Sequence, residues 1–310
     1  MKVMKLCAFL VILCLAIQAK ASKAVSMFSA ENTIQNILDA PEFSGYAAKI
    51  LPWDDLERND SNLKVSEVSK LMPWHSEIKT NDVLKGLNYI LSNKTFYNIY
   101  PDNDIKQKHT GLFFFKGQKN APFAIICPGG GFAYIGSLHE GFPIAYDLSQ
   151  RGYNAFVLKY RGGSANAALE DLAQALTYIF NHQKELNVSF ENYSVWGGSA
   201  GARMAAYIGT YGAKAFGGAD LAKPAMIVVN YTGYSDYTPN TSPIFMAVGE
   251  NDGIANPNGM KKQAERLKQM GVETDFNLYP KVGHGFGLGT GTSAQNWVDK
   301  AITFWEKHIK

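Results

Sequence analysis

Gly197-Gly198-Ser199-Ala200-Gly201 fits the pattern G-x-S-x-G, and it places one serine among residues small enough for a tight turn. A serine hydroxyl attacks a carbonyl carbon only when a base takes its proton, and that base needs an acid to orient it. Two histidines follow Ser199, His284 and His308. His284 lies in the flexible run Gly283-His284-Gly285-Phe286-Gly287, which can reach over a sheet edge. His308 falls on a terminal amphipathic stretch, on its solvated side. For the acid, Asp252 directly follows an apolar run and precedes His284 by 32 residues. Glu250 on the same turn and Asp236 stay open as alternatives. Upstream, Gly129-Gly130-Gly131 offers bare backbone N–H groups to a developing oxyanion, with the N–H of Ala200 as a further donor.

Such groups must be held by rigid elements. Short apolar runs recur at Leu112–Phe115, Phe123–Cys127, Ala155–Tyr160, Tyr193–Trp196, Met226–Asn230, Ile244–Val248 and Phe276–Tyr279. Continuous apolar runs of this length predict strands covered on both faces, as in a parallel sheet. Between them lie helical stripes: Leu169, Leu172, Ala173, Leu176, Ile179 and Phe180; then Pro257 to Met270, closed by Gly271; then Ala294, Trp297, Val298, Ala301 and Trp305. Alternating strands and helices predict an α/β fold with a doubly wound, mostly parallel sheet and ligands at the carboxyl ends of the strands. Ser199 then sits between the Tyr193–Trp196 strand and a helix from Ala200 to Tyr211, the strained elbow of a nucleophile. The glycine loop follows the Phe123–Cys127 strand. Cys127 itself reads as a small buried apolar residue.

The chain resembles the bacterial acetyl-esterase and acetylxylan-esterase branch of the α/β hydrolases, related to the hormone-sensitive-lipase-like esterases. The resemblance covers about residues 111–309. It rests on Pro128-Gly-Gly-Gly-Phe132, Gly197-Gly-Ser-Ala-Gly201, Gly249-Glu-Asn-Asp252 and Gly283-His-Gly-Phe286. It implies Ser199 as nucleophile, His284 as general base, Asp252 as its partner, and Gly130, Gly131 and Ala200 as oxyanion donors. Pro128 stands where lipase-like relatives carry histidine, which favours the carbohydrate-esterase side. Only Tyr231 to Pro243 separates two later strands, too little for a cap domain. Unless the segment before Gly111 covers it, the cleft is open, which suits a short acyl ester, acetyl or feruloyl, displayed on a carbohydrate polymer. A prolyl-peptidase-like serine peptidase and an inactive glycan-binding hydrolase fold are the competing readings.

Residues 22–110 lack the strand–helix rhythm and read as an N-terminal extension on the 111–310 catalytic domain. They predict a helix between Thr80 and Ser92 capped by Asn81 or Asp82, and an edge strand over Phe96–Tyr100. Trp53 and Trp74 follow two prolines and read as packed anchors or as platforms for a sugar ring. Phe132 and His139 are further candidates for the substrate wall. The His139-Glu140 pair has a plainer reading as packing at a helix start, and Lys159, Tyr160 and Arg161 read as a structural ion pair or hydrogen-bond group.

Lys2 and Lys5, the apolar run Leu6 to Ile17 and Ala19-Lys20-Ala21 have the order of a secretory leader, residues 1–21, and predict export. Of 30 basic and 27 acidic residues, three lysines leave with it, so 30 − 3 = 27 basic residues balance 27 acidic ones. No basic surface for nucleic acid follows, and no membrane span is expected after cleavage. Cys7 and Cys14 also leave, so Cys127 has no partner for an internal disulfide. The histidines show no metal-ligand spacing, and neither a metal nor a cofactor is expected.

Overall fold

The computed structural model describes residues 26–309; the leader assigned to residues 1–21 lies outside them. Among the described residues eight strands form one sheet in the order β1-β2-β4-β3-β5-β6-β7-β8. They are β1 (Phe96–Tyr97), β2 (Gly111–Phe115), β3 (Pro122–Cys127), β4 (Asn154–Lys159), β5 (Ser189–Gly198), β6 (Met226–Asn230), β7 (Ile244–Gly249) and β8 (Thr274–Tyr279). The β1–β2 and β2–β4 pairs are antiparallel and the rest are parallel. Every apolar run read as a strand is one. The central strands β4, β6 and β7 are buried at every position, which is why they carry no polar alternation. At the edge, β8 alternates less cleanly and leaves Leu278 exposed.

Among the described residues eight α-helices flank the sheet: α1 (Ile34–Leu38), α2 (Ala47–Ile50), α3 (Thr80–Asn93), α4 (Phe142–Gln150), α5 (Ala165–Leu186), α6 (Ala200–Tyr211), α7 (Pro257–Gln269) and α8 (Trp297–Glu306). Helix α7 starts with Pro257 at its first position and ends before Gly271, whose φ of +81° lets the chain leave the helix. Four sequence expectations are corrected. The capping residue of α3 is Lys79, with no side-chain cap; Asp82 sits in the first turn and accepts from the Thr290 hydroxyl at 2.6 Å instead. Helix α8 begins at Trp297, so Ala294 belongs to the turn before it. The edge strand closes after Tyr97. Phe180, placed on the α5 stripe, shares the helix face of Leu169 and Leu176 yet is exposed and meets Phe190 edge-on.

The chain runs from central β3 out to β4 and then crosses back to β5 on the other side of β3. That reversal opens a crevice at the carboxyl ends of β3 and β5, where neighbouring loops diverge. Residues before β2 pack into the same core. Ile34, Phe43, Ile50, Val68 and Leu87 are buried with the strand residues, and α3 lies against α4.

Candidate active site

Four loops meet at this crevice. The turn after β5 carries Ser199, with φ +51° and ψ −114°, a region that side chains avoid. Phe132 (φ +60°) and Tyr231 (φ +39°) share positive φ, so strained non-glycine residues gather here. The elbow closes only because its flanks are bare. A Cβ on Gly197 would lie 2.2 Å from the Gly201 carbonyl carbon, and one on Gly201 only 1.8 Å from the Cys127 carbonyl oxygen.

Ser199 Oγ lies 3.0 Å from Nε2 of His284. On the other side of that ring, Nδ1 is 2.8 Å from Asp252 Oδ2 and 3.0 Å from Oδ1. Asp252 is itself fixed, its Oδ1 accepting the N–H groups of Ile254 at 2.8 Å and Ala255 at 2.7 Å. Asp252 and His284 are both buried, which strengthens the electrostatic pull of the carboxylate on the ring. Glu250 instead receives the Lys281 N–H, and His308 sits 3.5 Å from Glu273, so neither joins this relay. The three groups stand in the order and spacing of a proton relay ending at a hydroxyl.

The glycine loop follows β3. Gly130 (φ +130°) and Gly131 (φ +61°) adopt positive-φ conformations that favour glycine, and a Cβ on Gly130 would meet the Tyr134 carbonyl oxygen at 2.1 Å. Ala200 opens α6, whose first N–H groups have no intrahelical acceptor. Phe132 is half-buried beside Tyr160. Tyr160 gives its hydroxyl to the Pro128 carbonyl at 2.6 Å and so holds the loop entrance. Lys159 pairs with Asp54 at 2.9 Å, and Arg161 grips buried Asp171, as the structural reading of those residues expects.

The tryptophans divide. Trp53 is an anchor: its indole N–H donates to the Leu71 carbonyl at 2.9 Å, and its ring is covered by Arg58 and Tyr134. Trp74 is 42% exposed, stacks on Tyr134 and projects over Gly131. His139 is no part of an exposed wall. It is 4% exposed and its Nε2 is 2.9 Å from the Gly285 carbonyl, because a π-helical turn at Ser137–Gly141 turns it inward.

One buried group, Glu140, entered the sequence reading only beside His139, as pocket lining or as packing at a helix start. Glu140 accepts the Gly129 N–H at 2.6 Å and the Tyr231 hydroxyl at 2.7 Å, and lies 3.2 Å from His75 Nε2. Burial pushes its carboxyl up, but the charge and hydrogen bond of His75, the nearby His139 and the Gly129 N–H outweigh that and hold it at about 2. The available signal was a carboxylate set in the apolar run from Ile135 to Ile144, immediately after the glycine loop. His75 and Tyr231 carried no signal, since only the fold brings them to it.

Burial first, then the neighbouring His75, lowers His139 to about 4 from an ordinary 6.5. Between these values the unfolded chain binds a proton that the folded chain refuses, so stability rises with pH across pH 4 to 6.5. The loss from this group on acidification is on the order of 3 kcal/mol. The depressed Glu140 acts in a lower window, its contribution being lost as pH falls from about 4.5 through about 2. Urea unfolding at stepped pH is therefore expected to show a shallower acid loss between pH 6.5 and 4 in His139→Gln than in the wild type. Parallel curves would refute the assignment.

Solved structures with this architecture include an acetyl ester-xyloside bifunctional hydrolase from Caldicellulosiruptor lactoaceticus, with a TM-score of 0.60 and 20% identity over 69% of this chain and 96% of that one. A carboxylesterase from Lactobacillus plantarum matches with a TM-score of 0.55 and 20% identity over 64% and 92%. The chain has the α/β-hydrolase fold. The family described as BD-FAE matches residues 114–238, and the prolyl oligopeptidase family matches residues 228–310. The first match holds the glycine loop and Ser199, the second Asp252 and His284. An acetylxylan esterase from Xylanibacter ruminicola is 22% identical over 214 residues, covering 59% of this chain; the chain spans 44% of that protein's length. Among the described residues no helix is long and apolar enough to cross a membrane.

Proposed function

We propose that this α/β hydrolase is a serine carboxylesterase that removes short acyl groups, acetyl or feruloyl, from carbohydrates. The observation that carries this reading is the relay from Ser199 through His284 to Asp252, set beside a loop of bare backbone N–H groups. In the reaction Ser199 Oγ bonds to the acyl carbon as His284 Nε2 takes its proton. The carbonyl electrons move to oxygen, where the N–H groups of Gly130, Gly131 and Ala200 receive them. Collapse breaks the ester bond, and the sugar oxygen leaves with the proton held by His284. Water, deprotonated by the same ring, then cleaves the acyl-serine and regenerates the hydroxyl. Asp252 holds the tautomer and stabilises the imidazolium.

The relative named acetylxylan esterase and the bifunctional acetyl ester-xyloside hydrolase support a sugar-borne ester. So does the short 231–243 connection, which leaves no room for a cap domain. Trp74 offers an exposed indole face next to Gly131, where the ring of a bound sugar can stack. Trp74→Ala is expected to lower the ratio of catalytic efficiency on acetylated xylo-oligosaccharide to that on triacetin by roughly five- to tenfold, the worth of one stacked ring. An unchanged ratio removes Trp74 from the subsite. The prolyl oligopeptidase match makes peptide cleavage the second reading.

A panel of p-nitrophenyl acetate, acetylated xylan, feruloyl esters, long-chain acyl esters and an Xaa-Pro anilide decides between these. Release of acetate or ferulate with an idle anilide is expected. Preferential cleavage of the anilide or of long acyl chains overturns the proposal. Export through residues 1–21 is part of the same reading, and the mature N-terminus of secreted protein, expected at Ser22, tests it.

A further inference from the structure

Ester hydrolysis by Ser199, His284 and Asp252 calls for no second buried carboxylate, yet Glu140 lies directly under the glycine loop. It fits there only because its neighbours lack side chains. A Cβ on Gly129 would stand 2.9 Å, and one on Gly198 2.7 Å, from Glu140 Oε2. The partners of Glu140 come from three separated parts of the chain: Gly129 at the loop start, Tyr231 after β6, and His75 from the segment before the sheet. Tyr231 in turn packs edge-on against the His284 ring, with centroids 5.1 Å apart.

His75 belongs to a short strap, Trp74-His75-Ser76, that touches both sides of the site. The Trp74 N–H donates to the Tyr134 hydroxyl at 3.2 Å, and His75 Nδ1 is 2.9 Å from the same oxygen. Ser76 donates twice to the carbonyl of His284, from its N–H at 3.0 Å and from its hydroxyl at 2.7 Å. The ring of His75 approaches the position of a Cβ on Gly285 to 3.0 Å. One tripeptide thus binds the loop that faces the oxyanion and the loop that carries the base.

We infer that this strap and Glu140 are positioning residues, which lock the oxyanion loop and the His284 loop in register and render the segment before the sheet part of the active site. The inference rests on the esterase reading for its kinetic effect. A carboxylate beside the oxyanion loop is tolerated while three donors hold it. Its side chain and that of His75 are each 2% exposed, so water cannot replace a lost donor. His75 Nε2, 3.2 Å from Glu140 Oε1, faces the carboxylate as the donor on that side. Without that donor, the negative charge opposes the oxyanion and pulls on Gly129.

Four variants test this: His75→Phe, His75→Gln, Glu140→Gln and the double variant His75→Phe/Glu140→Gln. With p-nitrophenyl acetate, His75→Phe is expected to lose on the order of 10²-fold in kcat with KM within about threefold, comparable to losing one oxyanion donor. His75→Gln, whose amide still donates near the Nε2 position, retains most of the rate. The double variant is expected to be faster than His75→Phe alone, because the unpaired charge is gone; packing damage alone makes it slower still. Wild-type kcat in His75→Phe, a loss confined to KM, or a double variant falling by the product of the single effects overturns the inference. Hydrogen exchange gives a readout independent of turnover. Peptides spanning 128–136 and 282–287 should exchange faster in His75→Phe, or in Glu140→Gln if His75→Phe fails to fold, and unchanged protection in both loops overturns the strap. An inactive wild type with this exchange pattern refutes the esterase reading and leaves the strap standing.

Discussion

Replacing Ser199 by alanine is expected to lower kcat on p-nitrophenyl acetate by roughly four to six orders of magnitude while the protein stays folded. Among the described residues the hydrogen-bond partner of the Ser199 hydroxyl is His284 Nε2, at 3.0 Å. The relay loses its terminal atom, so the remaining Asp252–His284 pair has no alcohol to activate. What survives is water attack assisted by the N–H groups of the loop. Ser199→Gly separates chemistry from strain. At φ +51° and ψ −114° a side chain costs about 1–3 kcal/mol, and glycine does not. The glycine variant is therefore expected to be as inactive as the alanine variant yet more stable than the wild type by about 1 kcal/mol in urea. Activity within tenfold of wild type in either variant removes Ser199 from the reaction. Equal stability of all three proteins removes the strain argument.

The scaffold was legible because its causes are local. Runs such as Met226–Asn230 and Ile244–Val248 are apolar at every position, since parallel strands covered on both faces allow nothing else. Ser199, Asp252 and His284 could be paired in advance because each lies just past a strand's end in an order that the fold requires. The boundaries of α3 and α8 were less legible: Asn81 and Asp82 are competent caps, but tertiary contacts gave Asp82 to Thr290. Hardest to foresee was the strap. Ser76 and His284 are 208 residues apart, and His75 meets Glu140 only after the Ser137–Gly141 turn has aimed that carboxylate inward. A serine and a histidine in a polar segment carry no pattern that distinguishes them from surface residues. Trp74 was visible as an aromatic, while its exposure over Gly131 depended on the path of the whole segment.

The largest effect on stability is expected from a single methyl group at Gly201. Helix α6 starts so close to β3 that the added Cβ would lie 1.8 Å from the Cys127 carbonyl oxygen and 2.9 Å from that of Pro128. Both are backbone atoms. Neither can rotate aside as a side chain would, and β3 is fixed between β4 and β5 by parallel ladders. Gly201→Ala must therefore push α6 off the strand that leads into the glycine loop. Overpacking of side chains costs about 1–3 kcal/mol, so a backbone collision at this site is expected to cost about 3 kcal/mol or more. Activity should fall with it, since any shift of α6 moves the Ala200 N–H relative to Gly130 and Gly131. Gly233→Ala is the matched control: nothing stands within 4 Å of its Cβ position, and a change within about 0.5 kcal/mol is expected. Urea unfolding of both variants decides the point. If Gly201→Ala is as stable as Gly233→Ala, the close approach of helix and strand is not what shapes the elbow, and the requirement for small residues around Ser199 needs another cause.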